Sequence, residues 1–311
     1  MNLQRLIEQY ISFQRSLGLS FVSGAYTLRA FGRTRGARAS IASVRAEHVD
    51  RFLGKARPAT PTWFTKLSRL RPFFQYAISR GYISATPLPS IMPRRPSAFV
   101  PYIYTREELR HLLQVIDSHP RSISLEPLMI RTMILVFYGA GLRLGEAINL
   151  NRADVDLNAS VMTIRNTKFG KTRLVPMGPQ LNRVLVQYNR ARPKGWPADA
   201  PFFVTRAGGR VKRRSLDYNF RSLCNRAGIR RAPETQVQPR IHDLRHTFAV
   251  HRLISWYQQG ADVQRLLHHL SVYLGHVALR HTQVYLSMTP ELLHEASQRF
   301  ERYAGKERRH A

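Results

Sequence analysis

Gly139-Ala140-Gly141-Leu142-Arg143-Leu144-Gly145-Glu146 is the stretch on which the reading of this chain turns. It closes an apolar run that reads as a buried helix from Leu128 to Gly139, breaks at glycine, and starts again with an arginine at a new helix start. Arg143 and Glu146 are three apart and share a helix face. An anion at such a start meets unpaired backbone amides as well as the guanidinium. Seen alone, the arginine is equally an ordinary surface residue.

Towards the N-terminus, Thr105-Arg106-Glu107-Glu108 reads as a capping box that opens a domain. Before it, Ser84-Ala85-Thr86-Pro87-Leu88-Pro89 and Pro93-Arg94-Arg95-Pro96 are proline-rich and extended. Residues 1–90 read as four helices: the first around Leu3, Leu6, Ile7, Tyr10 and Leu17, then Phe21 to Phe31, Val44 to Leu53, and Thr62 to Gly81. Pro72 is expected to kink the fourth. Towards the C-terminus, Ser160 to Ile164 and Arg173 to Val175 read as short strands around a polar hairpin, Asn166 to Lys171. The rest, to Phe300, reads as mostly helical. Thr289-Pro290 opens a last helix with an apolar stripe of Leu292, Leu293, Ala296, Phe300 and Tyr303. The expected fold is mostly α with a small β-sheet, in two domains: a helical domain over 1–90, a linker over 91–101, and a mixed domain over 102–311.

The 311 residues suit two domains. One cysteine excludes an intrachain disulfide framework and a Cys-cluster zinc site. Met1-Asn2-Leu3-Gln4-Arg5 does not read as a secretory start, and the longest apolar run, Thr132 to Leu142, is far short of the ~20 residues of a membrane span. A cytoplasmic, nucleoid-associated location is expected. The charge is decisive: 49 Lys and Arg oppose 19 Asp and Glu, a net +30. Such a chain expects a polyanion, whether nucleic acid, an anionic membrane surface or an acidic protein. Both domains are strongly basic, so one long partner, DNA or RNA, is the simplest choice.

Three further signals accompany Arg143. Lys168 lies on the hairpin, where a solvated lysine is the ordinary expectation. His242-Asp243-Leu244-Arg245-His246 puts His242 and Arg245 on one helical face, with His246 beside them. Either histidine could instead be structural. Leu274-Gly275-His276 precedes Tyr285 by a nine-residue step from the histidine. No metal-ligand cluster stands out. Asp154 and Asp156 read as a strand start, Glu107-Glu108 as a helix cap, and the adjacent His268-His269 do not share a face. No cofactor is expected, and no phosphate-binding glycine loop is present.

Taken together, the blocks Gly141 to Glu146, Thr167-Lys168 with Arg173-Leu174-Val175-Pro176, His242 to His246 and Leu274-Gly275-His276 resemble the tyrosine recombinase (integrase) family. The match runs over roughly 105–300 by motif, and over 1–90 by helical character and charge. The resemblance implies a two-domain clamp on double-stranded DNA, with a helical (SAM-like) core-binding domain and a catalytic domain. It implies that Arg143 and Arg245 clamp the scissile phosphate, Lys168 protonates the leaving oxygen, His242 and His276 flank the phosphate, and Tyr285 is the nucleophile. Glu146 looks like the acidic support of Arg143. It further implies a 3′-phosphotyrosyl intermediate, no metal, and a tetrameric synapse through the C-terminal helix, with partner recombinases as an option. Two departures matter. Lys168 lacks flanking glycines, which keeps Lys171 in play. His242 and His276 are 34 residues apart, with the excess in His251 to Ser271, a spacing more like recombinases of transposable elements. Tyr257 and Tyr273 are rival nucleophiles without the spacing. A type IB topoisomerase and a non-catalytic DNA-binding protein are the rival functions.

Overall fold

A computed structural model describes residues 1–54, 59–96, 100–118, 124–165, 172–192, 195, 197–231, 238–288 and 290–307, without the side chains of 287 and 299–307. The chain divides into two compact units, Met1–Phe99 and Val100–Ala311. Among the described residues no helix is long and apolar enough to cross a membrane.

The first unit holds α1 (Leu3–Ser16), α2 (Val22–Arg35), α3 (Ala46–Leu53) and α4 (Pro61–Ser79). The side chain of Asn2 accepts from the Arg5 amide at 3.1 Å and starts α1. Thr60 does the same for Trp63 at 3.2 Å, with Pro61 at the first position of α4. Leu3, Leu6, Ile7 and Tyr10 of α1 are buried against Leu28 and Phe31 of α2 and Leu67, Leu70, Phe73 and Phe74 of α4. Gly32 allows the close approach of α1 and α2, because a Cβ there would lie 2.9 Å from Cδ1 of Ile7. α4 runs unbroken through Pro72. That residue is exposed, so its ring meets solvent rather than the core. Arg69, Arg71 and Arg80 lie on the exposed side of the same helix.

The second unit holds α5 (Arg106–Ser118), α6 (Pro127–Ala140), α7 (Leu144–Asn149), β1 (Val155–Asp156), β2 (Val161–Ile164), β3 (Arg173–Pro176), α8 (Pro179–Arg190), α9 (Arg213–Arg226), α10 (Asp243–Gln258), α11 (Val263–Leu274), α12 (Arg280–Gln283) and α13 (Pro290–Glu307). The capping box of α5 is formed. The Thr105 amide donates to Glu108 Oε2 at 2.8 Å, and the Glu108 amide to Thr105 Oγ1 at 3.0 Å. α6 is buried on most sides, from Met129 to Ala140, and packs against α5, α7, α8 and α10. The strands form an antiparallel sheet in the order β1-β2-β3, with Met162 opposite Val175 and both buried. The expected strands are present, while the hairpin from Asn166 to Lys171 lies outside the described residues.

A second core in this unit joins Phe248, Leu253 and Ile254 of α10 to Leu267, Leu270 and Leu274 of α11, with Tyr285 and Leu292. The additional segment from His251 to Ser271 is thus the end of α10, a turn at Gly260 and most of α11. In α13, Leu292 is fully buried in this core, while Leu293 is half exposed. Phe300 and Tyr303 lie outside the described side chains.

Candidate active site

Gly141 ends α6 in the left-handed region, at φ +60°. A side chain there would strike the ring of Phe248 at 2.6 Å, so only glycine lets α6 turn beneath α10. Two residues later Arg143 caps α7. Its amide donates to Glu146 Oε2 at 2.9 Å and its Nη1 to Oε1 at 2.8 Å. The shared face expected from their spacing is a formed ion pair.

Glu146 is shared. Arg173, from β3, donates Nη1 and Nη2 to its two oxygens at 2.9 and 2.8 Å. Burial pushes the Glu146 carboxyl up, but the bonds from Arg173 and Arg143 outweigh it and hold the group down to about 2. Glu146 therefore stays ionised wherever the protein works.

The guanidiniums meet again at the end of α11. Three successive carbonyls there each accept from a different arginine. Tyr273 O accepts from Arg173 Nε at 3.0 Å, Leu274 O from Arg245 Nη2 at 2.6 Å, and Gly275 O from Arg143 Nη2 at 2.7 Å. The last carbonyls of a helix lack intrahelical partners and carry the negative end of its dipole, which suits cations. Gly275 sits at φ +67°, and a Cβ there would lie 2.9 Å from Arg173 Nη1. Arg245 also donates Nη1 to Gly141 O at 2.6 Å. It is only 2% exposed. Burial, then the charge of Arg143, bring Arg245 down to about 10, so it remains a cation at neutral pH. A guanidinium has more N–H donors than these bonds use, so both Arg143 and Arg245 retain capacity for an anion.

The turn that the arginines hold carries His276. Its Nδ1 lies 2.7 Å from Oγ1 of buried Thr282. Burial, then the charges of Arg245 and Arg143, bring His276 down to about 3, so its imidazole is neutral at pH 7. Tyr285 is 3% exposed, with its ring centroid 6.1 Å from that of His276 and 5.5 Å from that of His246. Burial raises the Tyr285 phenol, and the charge and hydrogen bond of Arg245 oppose that rise. His242 stands at the start of α10, 5.1 Å from His246 ring to ring. With Arg143, Arg165, Arg210, Arg213 and Gly275 it lines a cleft of about 830 Å³.

Arg143, His242, Arg245, His276 and Tyr285 thus converge on one place, around the end of α11. Lys168 and its rival Lys171 lie outside the described residues. Of the rival tyrosines, Tyr273 donates its hydroxyl to Pro176 O at 3.2 Å, and burial pushes it up to about 12. Tyr257 packs at the edge of the α10–α11 core. Asp154 bonds the Asn151 amide and Arg165, and Asp156 accepts from the amides of Asn158 and Ala159. Two residues matter more than their sequence positions suggest. Arg173 stood within a quoted motif, but nothing local links a strand residue to Glu146 and Tyr273. His246 is wedged between His242 and Tyr285, and its buried Nδ1 has no hydrogen-bond partner among the described residues. Burial, then the His242 charge, bring it down to about 4.

Residues 103–291 match the phage integrase family. The chain belongs to that family. Relatives agree with the assignment. The Sinorhizobium fredii (strain NBRC 101917 / NGR234) protein y4rB, named for an inferred integrase/recombinase role, is 35% identical over 96% of this chain and 97% of its own. Tyrosine recombinase XerC of Proteus mirabilis is 31% identical over 77% of this chain and 73% of its own. Two solved structures share the fold. The Tn1549 transposon integrase in complex with circular intermediate DNA has a TM-score of 0.67 at 18% identity, over 92% of this chain and 95% of that one. A lambda integrase dimer bound to a core site has a TM-score of 0.66 at 15% identity, over 93% and 78%. This member of the phage integrase family is a tyrosine-type site-specific recombinase.

Proposed function

We propose that the protein cuts and rejoins double-stranded DNA at a defined site of a mobile element, through a 3′-phosphotyrosyl intermediate on Tyr285. The observation that carries this reading is the convergence of Arg143, Arg245 and His276 on the end of α11, next to Tyr285.

A phosphodiester is an anion that repels nucleophiles, and its transition state spreads charge over the non-bridging oxygens. Arg143 and Arg245 bind those oxygens through the N–H donors that the protein itself does not use. Both are already locked, so little reorganisation accompanies the reaction. Tyr285 Oη attacks phosphorus, the bond to the 5′ oxygen breaks, and the 3′ phosphate passes to the tyrosine. A phenol of ordinary pKa, about 10, is ionised in roughly one molecule in a thousand at pH 7. Its proton therefore needs an acceptor: the imidazole of His276 is stacked beside the Tyr285 ring, and the charges of Arg245 and Arg143 favour the phenolate. Lys168 supplies a proton to the departing 5′ oxygen, which leaves as a hydroxyl. Reversal by a second 5′ hydroxyl rejoins the strand without a nucleotide.

The first unit supplies phosphate and groove contacts through its exposed arginines. Copies assemble into a tetrameric synapse through α13. The full-length similarity to y4rB supports an integration role, and the long His242 to His276 spacing supports a mobile element.

Covalent trapping tests the proposal. Wild type and Tyr285→Phe are incubated with fragmented DNA, denatured in detergent, and the protein-linked DNA is sequenced. Adducts in wild type alone, piled up at one sequence, are expected. Adducts without sequence preference would favour topoisomerase-like relaxation. No adduct despite DNA binding would leave a binding module.

A further inference from the structure

Arg173 has no part in the reaction outlined above, yet it is the best-anchored side chain of the site. It is 13% exposed, and its guanidinium makes three bonds in two directions. The fork grips both oxygens of Glu146, while Nε grips Tyr273 O. Glu146 in turn fixes the backbone and the guanidinium of Arg143. Arg173 therefore ties the support of one phosphate-binding arginine to the helix end that carries His276. Gly275 lies directly against it and leaves no room for a side chain.

We infer that Arg173 is a positioning residue for strand cleavage. From β3 it sets the turn Leu274-Gly275-His276 against Arg143 and Arg245, so that His276 and both guanidiniums hold one geometry. The inference rests on the reading that Tyr285 forms the DNA adduct. A planar fork is required, because the carboxylate and the carbonyl lie in different directions. A lysine supplies the charge without that span. Errors of about 1 Å in such a site cost roughly 10²-fold in rate.

The test uses the full chain, a duplex carrying the trapped cleavage site, and the variants Arg173→Gln and Arg173→Lys. Three quantities are read: DNA affinity, adduct-formation rate at saturating DNA, and the ¹⁵N-histidine NMR titration of His276 between pH 7.5 and 5. The charged or titratable groups facing His276 are Arg143, Arg245, His246, His281 and Tyr285. All are kept in both variants. Wild-type His276 should not titrate in this window. Both variants should bind DNA like wild type yet form the adduct about 10²-fold more slowly, with His276 now titrating as the loosened turn admits water. Wild-type cleavage by Arg173→Lys would show that charge alone suffices, and would overturn the inference. So would loss of cleavage with DNA affinity lost in parallel and His276 unmoved, the mark of a merely structural residue. If Arg173→Gln fails to fold, Arg173→Lys decides by the same readings. If wild type forms no adduct, the reading of Tyr285 falls and this inference with it. An adduct in wild type with unimpaired variants removes this inference alone.

Discussion

Arg143 and Arg245 reach neighbouring carbonyls of one turn from different elements, α7 and α10. Their charge is thereby placed before any substrate arrives, which is where electrostatic catalysis gains most. Replacing either by lysine keeps the charge and loses the fork. Adduct formation should fall by ~10³-fold or more, about 4 kcal/mol of transition-state stabilisation, with a smaller change in DNA affinity. A single-turnover cleavage assay beside a binding titration checks this. The histidines and Glu146 also make stability depend on pH. His276 and His246 are held below their ordinary 6.5, so below that pH the unfolded chain takes up protons that the folded one refuses. Stability should therefore fall as the pH drops from 6.5 towards 4. Glu146, held at about 2 against an ordinary 4.5, adds a further loss as the pH falls below 4.5. Thermal unfolding against pH should show both slopes. His276→Asn should flatten the first, and Glu146→Gln the second.

Two glycines decide how the helices meet at the site. Gly141 bends α6 under Phe248, and Gly275 ends α11 against Arg173. At Gly141 an added methyl meets both a positive φ and an aromatic ring at 2.6 Å. Gly141→Ala should destabilise the protein by about 1–3 kcal/mol, measured by denaturant unfolding, and should slow cleavage beyond that loss because Arg245 bonds its carbonyl. The helices themselves were legible. Thr105 to Glu108 forms its cap, and the apolar run before Gly139 is α6. Pro72 does not end α4, which continues to Ser79. A proline on the solvent side of a packed helix is tolerated when tertiary burial of Phe73 and Phe74 outweighs the lost backbone bond.

The net charge of +30 is not all available to a polyanion. Arg173 spends its guanidinium on Glu146 and Tyr273 O, and Arg210 on the carbonyls of Ile148 and Leu150 and the side chain of Asn151. Arg69, Arg71 and Arg80 stay exposed. Binding to duplex DNA should weaken steeply with salt, log K falling by about 0.9 per phosphate neutralised, and fluorescence anisotropy across a salt series reads that slope directly. The C-terminal helix divides in the same way. Leu292 belongs to the core beneath α10 and α11, so removing all of α13 would unmake part of the domain. A truncation after Gln298 keeps that contact. It should leave DNA binding intact and abolish the pairing of two sites, measured by native gel shift of a two-site complex. Persistent pairing would remove the role proposed for the end of α13.

Sequence alone pointed to the helical character, the short strands and a polyanionic partner, and its resemblance to a known family picked out the five side chains that the structure brings together. The first three depend on local periodicity, capping and residue chemistry, which a linear chain displays. Tertiary structure decided what those side chains are fastened to. Glu146 and Arg173 are 27 residues apart, and Arg143 and Gly275 are 132 apart. Spacing from His276 already favoured Tyr285 over Tyr273, and packing adds the physical reason: Tyr285 is set beside Arg245 and two histidines, whereas the Tyr273 hydroxyl is taken by Pro176 O. Hydrogen bonds between distant segments leave no period in the sequence. They exist only after burial of α6, α10 and α11 has brought the arginines to one helix end.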